Sequence, residues 1–136
     1  ILRDIDKIIV HCSATPEGRD ISAATIDKWH KERGWSGIGY HYVVSLDGTI
    51  EYGRDIQKTG AHVKGHNTGS IGICYIGGCD DNMNAKDTRT IEQKESLLLL
   101  IKTLKKMHPG AEVFGHRDFS TKECPSFDAK NEYCNA

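Results

Sequence analysis

The stretch Ser70-Ile71-Gly72-Ile73-Cys74-Tyr75-Ile76 does most to restrict what this chain can fold into. It has no polar face. Apolar residues fall on both sides of a period-two alternation, so as a strand it must be covered on both faces and lie centrally in a sheet. Ile8-Ile9-Val10 reads as a second buried strand between charged flanks, and residues 111–114 as a short final one. The intervening segments carry helical and hairpin signals. Ser22 can cap a helix through about Arg33, with Ile26 and Trp29 buried, His30 toward solvent and Gly34 at the end. Thr90-Ile91-Glu92-Gln93 fits a capping box and opens a helix to about Met107. Leu97, Leu98, Ile101, Leu104 and Met107 are its expected apolar stripe, and His108-Pro109-Gly110 stops it. Asp47-Gly48 between two β-prone runs predicts a hairpin, with Tyr40 and Tyr42 on one face of its first strand and His41 and Val43 on the other. The order strand, helix, hairpin, strand, helix, strand specifies an α/β fold: a central mixed β-sheet of about five strands flanked by helices. At 136 residues, positions 1–136 are expected to form a single domain.

Charge and composition exclude several function classes. A net charge of −1 gives no electrostatic footprint for nucleic acid or an anionic membrane. No apolar run approaches the roughly 18 residues of a membrane span, so no membrane insertion is expected. No signal peptide is visible, although the chain begins at Ile1. The five cysteines are an odd number, which excludes full pairing within one chain and favours mostly reduced thiols. Cys12 and Cys74 lie in apolar strand-like runs, where a thiol behaves as a small hydrophobe. Cys134 is read as incidental. Asp80-Asp81-Asn82-Met83-Asn84 lacks the glycine and closing glutamate of a calcium loop.

Chemistry concentrates in residues 115–125, where Gly115-His116-Arg117-Asp118 leads to Lys122-Glu123-Cys124-Pro125. So polar a stretch is a loop, the usual place for reactive groups on a rigid scaffold. His11 and His116 each follow a predicted strand, where ligands of open α/β sheets gather. Taken alone, His11 reads better as a core histidine bonded to a backbone carbonyl. Taken together, His11, His116 and Cys124 are a donor set suited to zinc, with a fourth position left for water. Spacing does not join His11 to the other two. His62 and His66 stand at i, i+4, but Gly60, Gly65 and Gly69 argue against a helix there, so this pair is rejected as ligands.

Several blocks in order join the pieces: Val10-His11-Cys12-Ser13-Ala14-Thr15, Trp29-His30-Lys31-Glu32, Gly39-Tyr40-His41-Tyr42, Asp47-Gly48-Thr49, Ser70-Ile71-Gly72-Ile73-Cys74, Gly115-His116 and Lys122-Glu123-Cys124-Pro125-Ser126-Phe127-Asp128. Across nearly the whole chain they resemble the zinc-dependent N-acetylmuramoyl-L-alanine amidases of the type-2 family, most closely the small phage lysozyme-type amidases. The resemblance implies one zinc ion on His11, His116 and Cys124 with water as fourth ligand, and catalytic roles for Tyr40 and Lys122. It implies hydrolysis of the amide between N-acetylmuramic acid and the L-alanine of the stem peptide, at the bacterial cell wall. Peptidoglycan or a muropeptide is then the partner, and a monomer is expected.

Physical chemistry makes these roles intelligible. Lys122, a flexible point charge, suits a developing oxyanion, and Tyr40 the attacking water and the proton passed to the leaving amine. His62 and Asn67 are candidates for lining the substrate groove, with loop-structural hydrogen bonding as their alternative. His41 is read as structural. One competing reading is a non-catalytic peptidoglycan-binding module of the same fold. Another is a cysteine peptidase with Cys124 as nucleophile and His116 or His11 as base, disfavoured because Cys124 directly precedes Pro125 with no cap or helix N-terminus evident to lower its pKa.

Overall fold

The computed structural model describes residues 4–136. In chain order the elements are β1 (Lys7–Cys12), β2 (Thr15–Pro16), α1 (Ala23–Glu32), β3 (Tyr42–Val44), β4 (Ile50–Tyr52), β5 (Ser70–Tyr75), β6 (Gly78–Cys79), α2 (Ile91–Met107), β7 (Glu112–Gly115), a 3₁₀ turn (His116–Asp118) and α3 (Ala129–Glu132). Five strands form one sheet in the order β4-β3-β5-β1-β7, and β2 and β6 form a separate pair. Within the five-stranded sheet, β3 and β4 pair antiparallel as a hairpin, while β3, β5, β1 and β7 run parallel. The fold is the expected α/β domain with a mixed five-stranded sheet. The doubly apolar stretch takes the central place, and all six residues of β5 are buried.

Alternation along the strands sorts side chains onto two layers. Ile8, Val10 and Cys12 of β1 join Ile71, Ile73 and Tyr75 of β5 beneath α2, whose Leu97, Leu100, Ile101 and Leu104 complete the larger core. The opposite face carries Val43, Cys74 and Ile76 under Ile21, Ala23 and Ile26 of the α1 region. Leu98 and Met107, expected in the α2 stripe, are exposed at 38% and 62%. Leu100 takes the buried place because 97, 100, 101 and 104 keep the i, i+3, i+4, i+7 spacing of one helix face. Thr90 and Gln93 form the predicted capping box. The same Gln93 uses its Nε2 to donate to the Ile76 carbonyl at 2.9 Å, locking α2 to the end of β5.

Two further expectations change. Strand β3 begins at Tyr42, so residues 37–41 do not follow its alternation. Tyr40 therefore packs with the α1-side cluster and Tyr42 with the α2-side core, on opposite faces. His30, expected toward solvent, is buried, because Ala23, Ile26 and His30 form the inward face of α1. Its Nδ1 accepts the Gly39 N–H at 2.9 Å.

Candidate active site

Register closes the distance between the two ends of the chain. Strand β1 pairs with β7 through Val10↔Gly115, so His11 and His116 are the next residues along two adjacent parallel strands. Their Nδ1 atoms stand 3.2 Å apart. Cys124 Sγ lies 4.0 Å from His11 Nδ1, and the three donor atoms all fall within 4.8 Å of one another. A tetrahedral zinc ion, with nitrogen at about 2.0 Å and sulfur at about 2.3 Å, sets donors about 3.3–3.6 Å apart. The three side chains fit such an ion after a small inward movement of the sulfur. They are the one such His/Cys/Asp/Glu group among the described residues.

The loop carrying Cys124 is held from several sides. Arg117 N–H donates to the Cys124 carbonyl at 2.7 Å, and Tyr75 O–H to the Pro125 carbonyl at 2.6 Å. Asp118 Oδ2 accepts the Gly115 N–H at 2.8 Å, bracing the 3₁₀ turn that begins at His116. Cys12 N–H points at Cys124 Sγ from 3.2 Å, a contact that favours a thiolate once a cation is near.

Electrostatics prepares the histidines as neutral ligands. Burial holds His11 well below the usual histidine range, with His62, His116 and Lys122 adding to the shift. Burial also lowers His116, and the Lys122 charge lowers it further. The Cys124 thiol is pushed up, first by its hydrogen bond with Cys12 and then by burial. A nucleophilic cysteine needs the opposite shift, which disfavours the cysteine-peptidase reading.

Tyr40 stands against His11 with ring centroids 5.0 Å apart and against His30 at 5.5 Å, and its side chain also meets the Cys74 thiol. Burial raises its phenol well above the ordinary value, and the thiols of Cys74, Cys124 and Cys12 raise it further. It is a neutral donor at physiological pH. Lys122 is exposed at the rim of a cleft of about 560 Å³, lined also by Trp35, His62, Lys64, His116 and Phe119. Of the donor triad, His116 lines this cleft, and Trp35, another lining residue, packs at a tilt against His30 with ring centroids 4.6 Å apart.

His62 and Asn67 also border this cleft. His62 is mostly engaged inward: its Nδ1 is 2.8 Å from His11 Nε2 and its Nε2 is 3.2 Å from Ser70 Oγ. Asn67 Oδ1 accepts the backbone N–H groups of His62 and Val63, both at 2.9 Å, and so shapes the loop. His41 bridges the Gly72 N–H and the Lys58 carbonyl. Sequence reasoning passed over His30, Trp35, Ser70 and Phe119. The i, i+3, i+7 spacing of Ala23, Ile26 and His30 was the available signal for His30. Nothing local in the sequence marks the other three.

A family model described as N-acetylmuramoyl-L-alanine amidase matches residues 2–127. The chain belongs to that family. Within it, the chain is 44% identical over 125 residues to the endolysin of Escherichia phage T7, covering 92% of this chain and 83% of that one. Among solved structures it resembles the endolysin amidase LysCS from Clostridium intestinale, with a TM-score of 0.81 and 30% identity over 96% of this chain and 80% of that one. The ectodomain complex of peptidoglycan recognition proteins LCa and LCx bound to tracheal cytotoxin is also similar, with a TM-score of 0.78 and 28% identity, over 96% of this chain and 81% of that chain. As an amidase of this family, the protein hydrolyses the peptidoglycan amide between N-acetylmuramic acid and the L-alanine of the stem peptide.

Proposed function

We propose that the amidase is zinc-dependent, with His11, His116 and Cys124 holding one ion, a water in the fourth position, and Tyr40 and Lys122 acting on the substrate. The observation that carries this reading is the meeting of three donor atoms within 4.8 Å beside a cleft whose rim holds a lysine. A zinc ion bound there supplies Lewis acidity, acidifying a water and polarising a carbonyl.

The remaining roles follow from the chain's own groups. Amide hydrolysis places negative charge on the former carbonyl oxygen and requires a proton on the leaving amine. Lys122, a cation lining the cleft together with His116, is suited to that charge, and desolvation by a bound glycopeptide strengthens the interaction. Tyr40 keeps its proton at neutral pH and can hydrogen-bond the attacking water and hand a proton toward the amine. His62 and Asn67 contribute to the wall on which the muropeptide lies. The unit acts as a monomeric catalytic domain on peptidoglycan.

Similarity to peptidoglycan recognition proteins supports a second reading, a binding module without hydrolysis. Cys124 and Lys122 together favour catalysis. Digestion of defined muropeptides, read by mass spectrometry with chelator and after zinc is restored, tests the proposal. Release of stem peptides bearing a free L-alanine amine, lost with chelator and regained with zinc, is expected. New reducing sugar ends, or activity indifferent to chelator, would overturn it.

A further inference from the structure

His62 does more than border the cleft. Its ring connects the metal-binding triad to a serine and a backbone carbonyl on the far side, and the hydrogen-bond chemistry of that path has only one direction. The Asn67 carbonyl is purely an acceptor, so Ser70 O–H must donate to it across 3.0 Å. A hydroxyl has one proton. The Ser70 oxygen therefore faces His62 as an acceptor, and His62 Nε2–H donates to it across 3.2 Å. A neutral His62 with its proton on Nε2 offers a bare lone pair at Nδ1, 2.8 Å from His11 Nε2. His11 must then carry its own proton on Nε2, leaving the Nδ1 lone pair directed at His116 and Cys124.

We propose that the Asn67 carbonyl, Ser70 and His62 form a one-way hydrogen-bond chain that fixes the tautomer of His11, making His62 a positioning residue of the metal centre. The inference deepens the zinc reading and rests on it for its functional meaning. The opposite tautomer would place a proton at the atom that must bind the ion. A metal-bound histidine is commonly oriented by the partner of its other nitrogen, and loss of such a partner costs about 10–100-fold in metal affinity.

A second, independent feature holds the His62 ring in place. A Cβ at Gly72 would sit 2.8 Å from His62 Cδ2 and Cγ, and one at Gly60 would sit 2.6 Å from Cδ2. The imidazole occupies space that two side chains would otherwise fill. Gly72 lies opposite Ile9 on β1, two residues before His11, so the ring rests on the sheet beside the ligand it meets. The Asn67 side chain ties down the backbone on which His62 is carried, through the N–H groups of His62 and Val63. One residue thus supplies both the end of the chain and the shape of the loop.

The test uses the full chain labelled with nitrogen-15 histidine, first metal-free and near neutral pH. Long-range nitrogen–proton correlation spectra are expected to show His11 and His62 both protonated on Nε2. Ser70→Ala is expected to leave His62 in a mixture of tautomers. Zinc affinity is then measured by chelator competition. His62→Ala should bind zinc about 10–100-fold more weakly, and His62→Gln, whose amide oxygen can accept from His11 Nε2–H, should recover most of the loss. A proton on Nδ1 of metal-free His11 overturns the proposal. So does equal zinc affinity in wild type, His62→Gln and Ser70→Ala together with His62→Ala, or, where His62→Ala does not fold, equal affinity in the first three. A wild-type protein with no zinc affinity overturns the zinc reading instead, and the tautomer spectrum still decides the chain.

Discussion

His11 and His116, 105 residues apart in the chain, present their Nδ1 atoms to each other at 3.2 Å. The pairing of β1 with β7 does this, and it makes the site a product of the sheet rather than of a local motif. Removal of either end should therefore empty the centre without unfolding the sheet. His116→Ala and Cys124→Ser are each expected to lower zinc affinity by more than about 100-fold, beyond the range for loss of a supporting partner alone. Metal content by mass spectrometry, together with circular dichroism, checks this. Undiminished zinc in a folded Cys124→Ser protein would falsify the ligand set.

Lys122 is exposed and hydrogen-bonded to the rest of the fold through its backbone N–H, which donates to Ser120 Oγ at 3.2 Å. Its side chain should matter to rate and hardly to stability. Lys122→Ala is expected to lower kcat by about 10²–10³, the usual cost of removing one oxyanion donor, with zinc content unchanged. Steady-state kinetics on a soluble muropeptide separates the effects. A rise in KM with constant kcat would assign Lys122 to ground-state binding.

Much of this architecture was readable in the residues. The doubly apolar run at 70–76 named the central strand because a strand without a polar face has few other places to go. Thr90 and Gln93 marked the start of α2 because their side chains satisfy helix-end donors. The triad of His11, His116 and Cys124 was nameable as a donor set, but its assembly depends on strand order, which hydrophobic period does not encode. Tyr40 lies on the face opposite Tyr42, against the expectation from two-residue alternation, because residues 37–41 are irregular and precede β3. The link from His62 to His11 was invisible for a similar reason: it spans 51 residues and rests on parallel register.

A distant part of the fold predicts how stability depends on pH. Arg89, buried with 3% of its side chain exposed, is held between Asp87 and Glu132, donating to each at 2.9 Å. The hydrogen bond from Arg89 depresses the Glu132 carboxyl. At Asp87 burial opposes, but the hydrogen bonds and charge of Arg89 win, and the carboxyl is again lowered. Depressed carboxylates add stability that is present above their unfolded pKa of about 4 and is lost as pH falls through the folded values. Urea unfolding should thus show a falling midpoint on acidification below about pH 4. Arg89→Met should cost about 2 kcal/mol at neutral pH, less than a fully buried pair because both carboxylates reach solvent, and should flatten the acid slope. Parallel slopes in the two proteins would show that the pairing does not govern the acid limb.

Tyr40 offers the cleanest separation of metal holding from chemistry. Its ring packs against His11 and His30, so a phenylalanine keeps those contacts and removes only the hydroxyl. Burial already holds that hydroxyl protonated far above neutral pH, which means that its service is as a donor and a proton route, never as a standing anion. Tyr40→Phe is therefore expected to bind zinc and muropeptide as the parent does and to lose about 10²-fold in kcat, the low end for a positioned acid–base group. Tyr40→Ala should lose more, because the vacancy beside His11 frees the imidazole as well. Calorimetric binding of a muropeptide and single-turnover hydrolysis decide the matter together. If Tyr40→Phe hydrolyses at the parental rate, the hydroxyl has no part in proton transfer, and the ring's role is to hold His11.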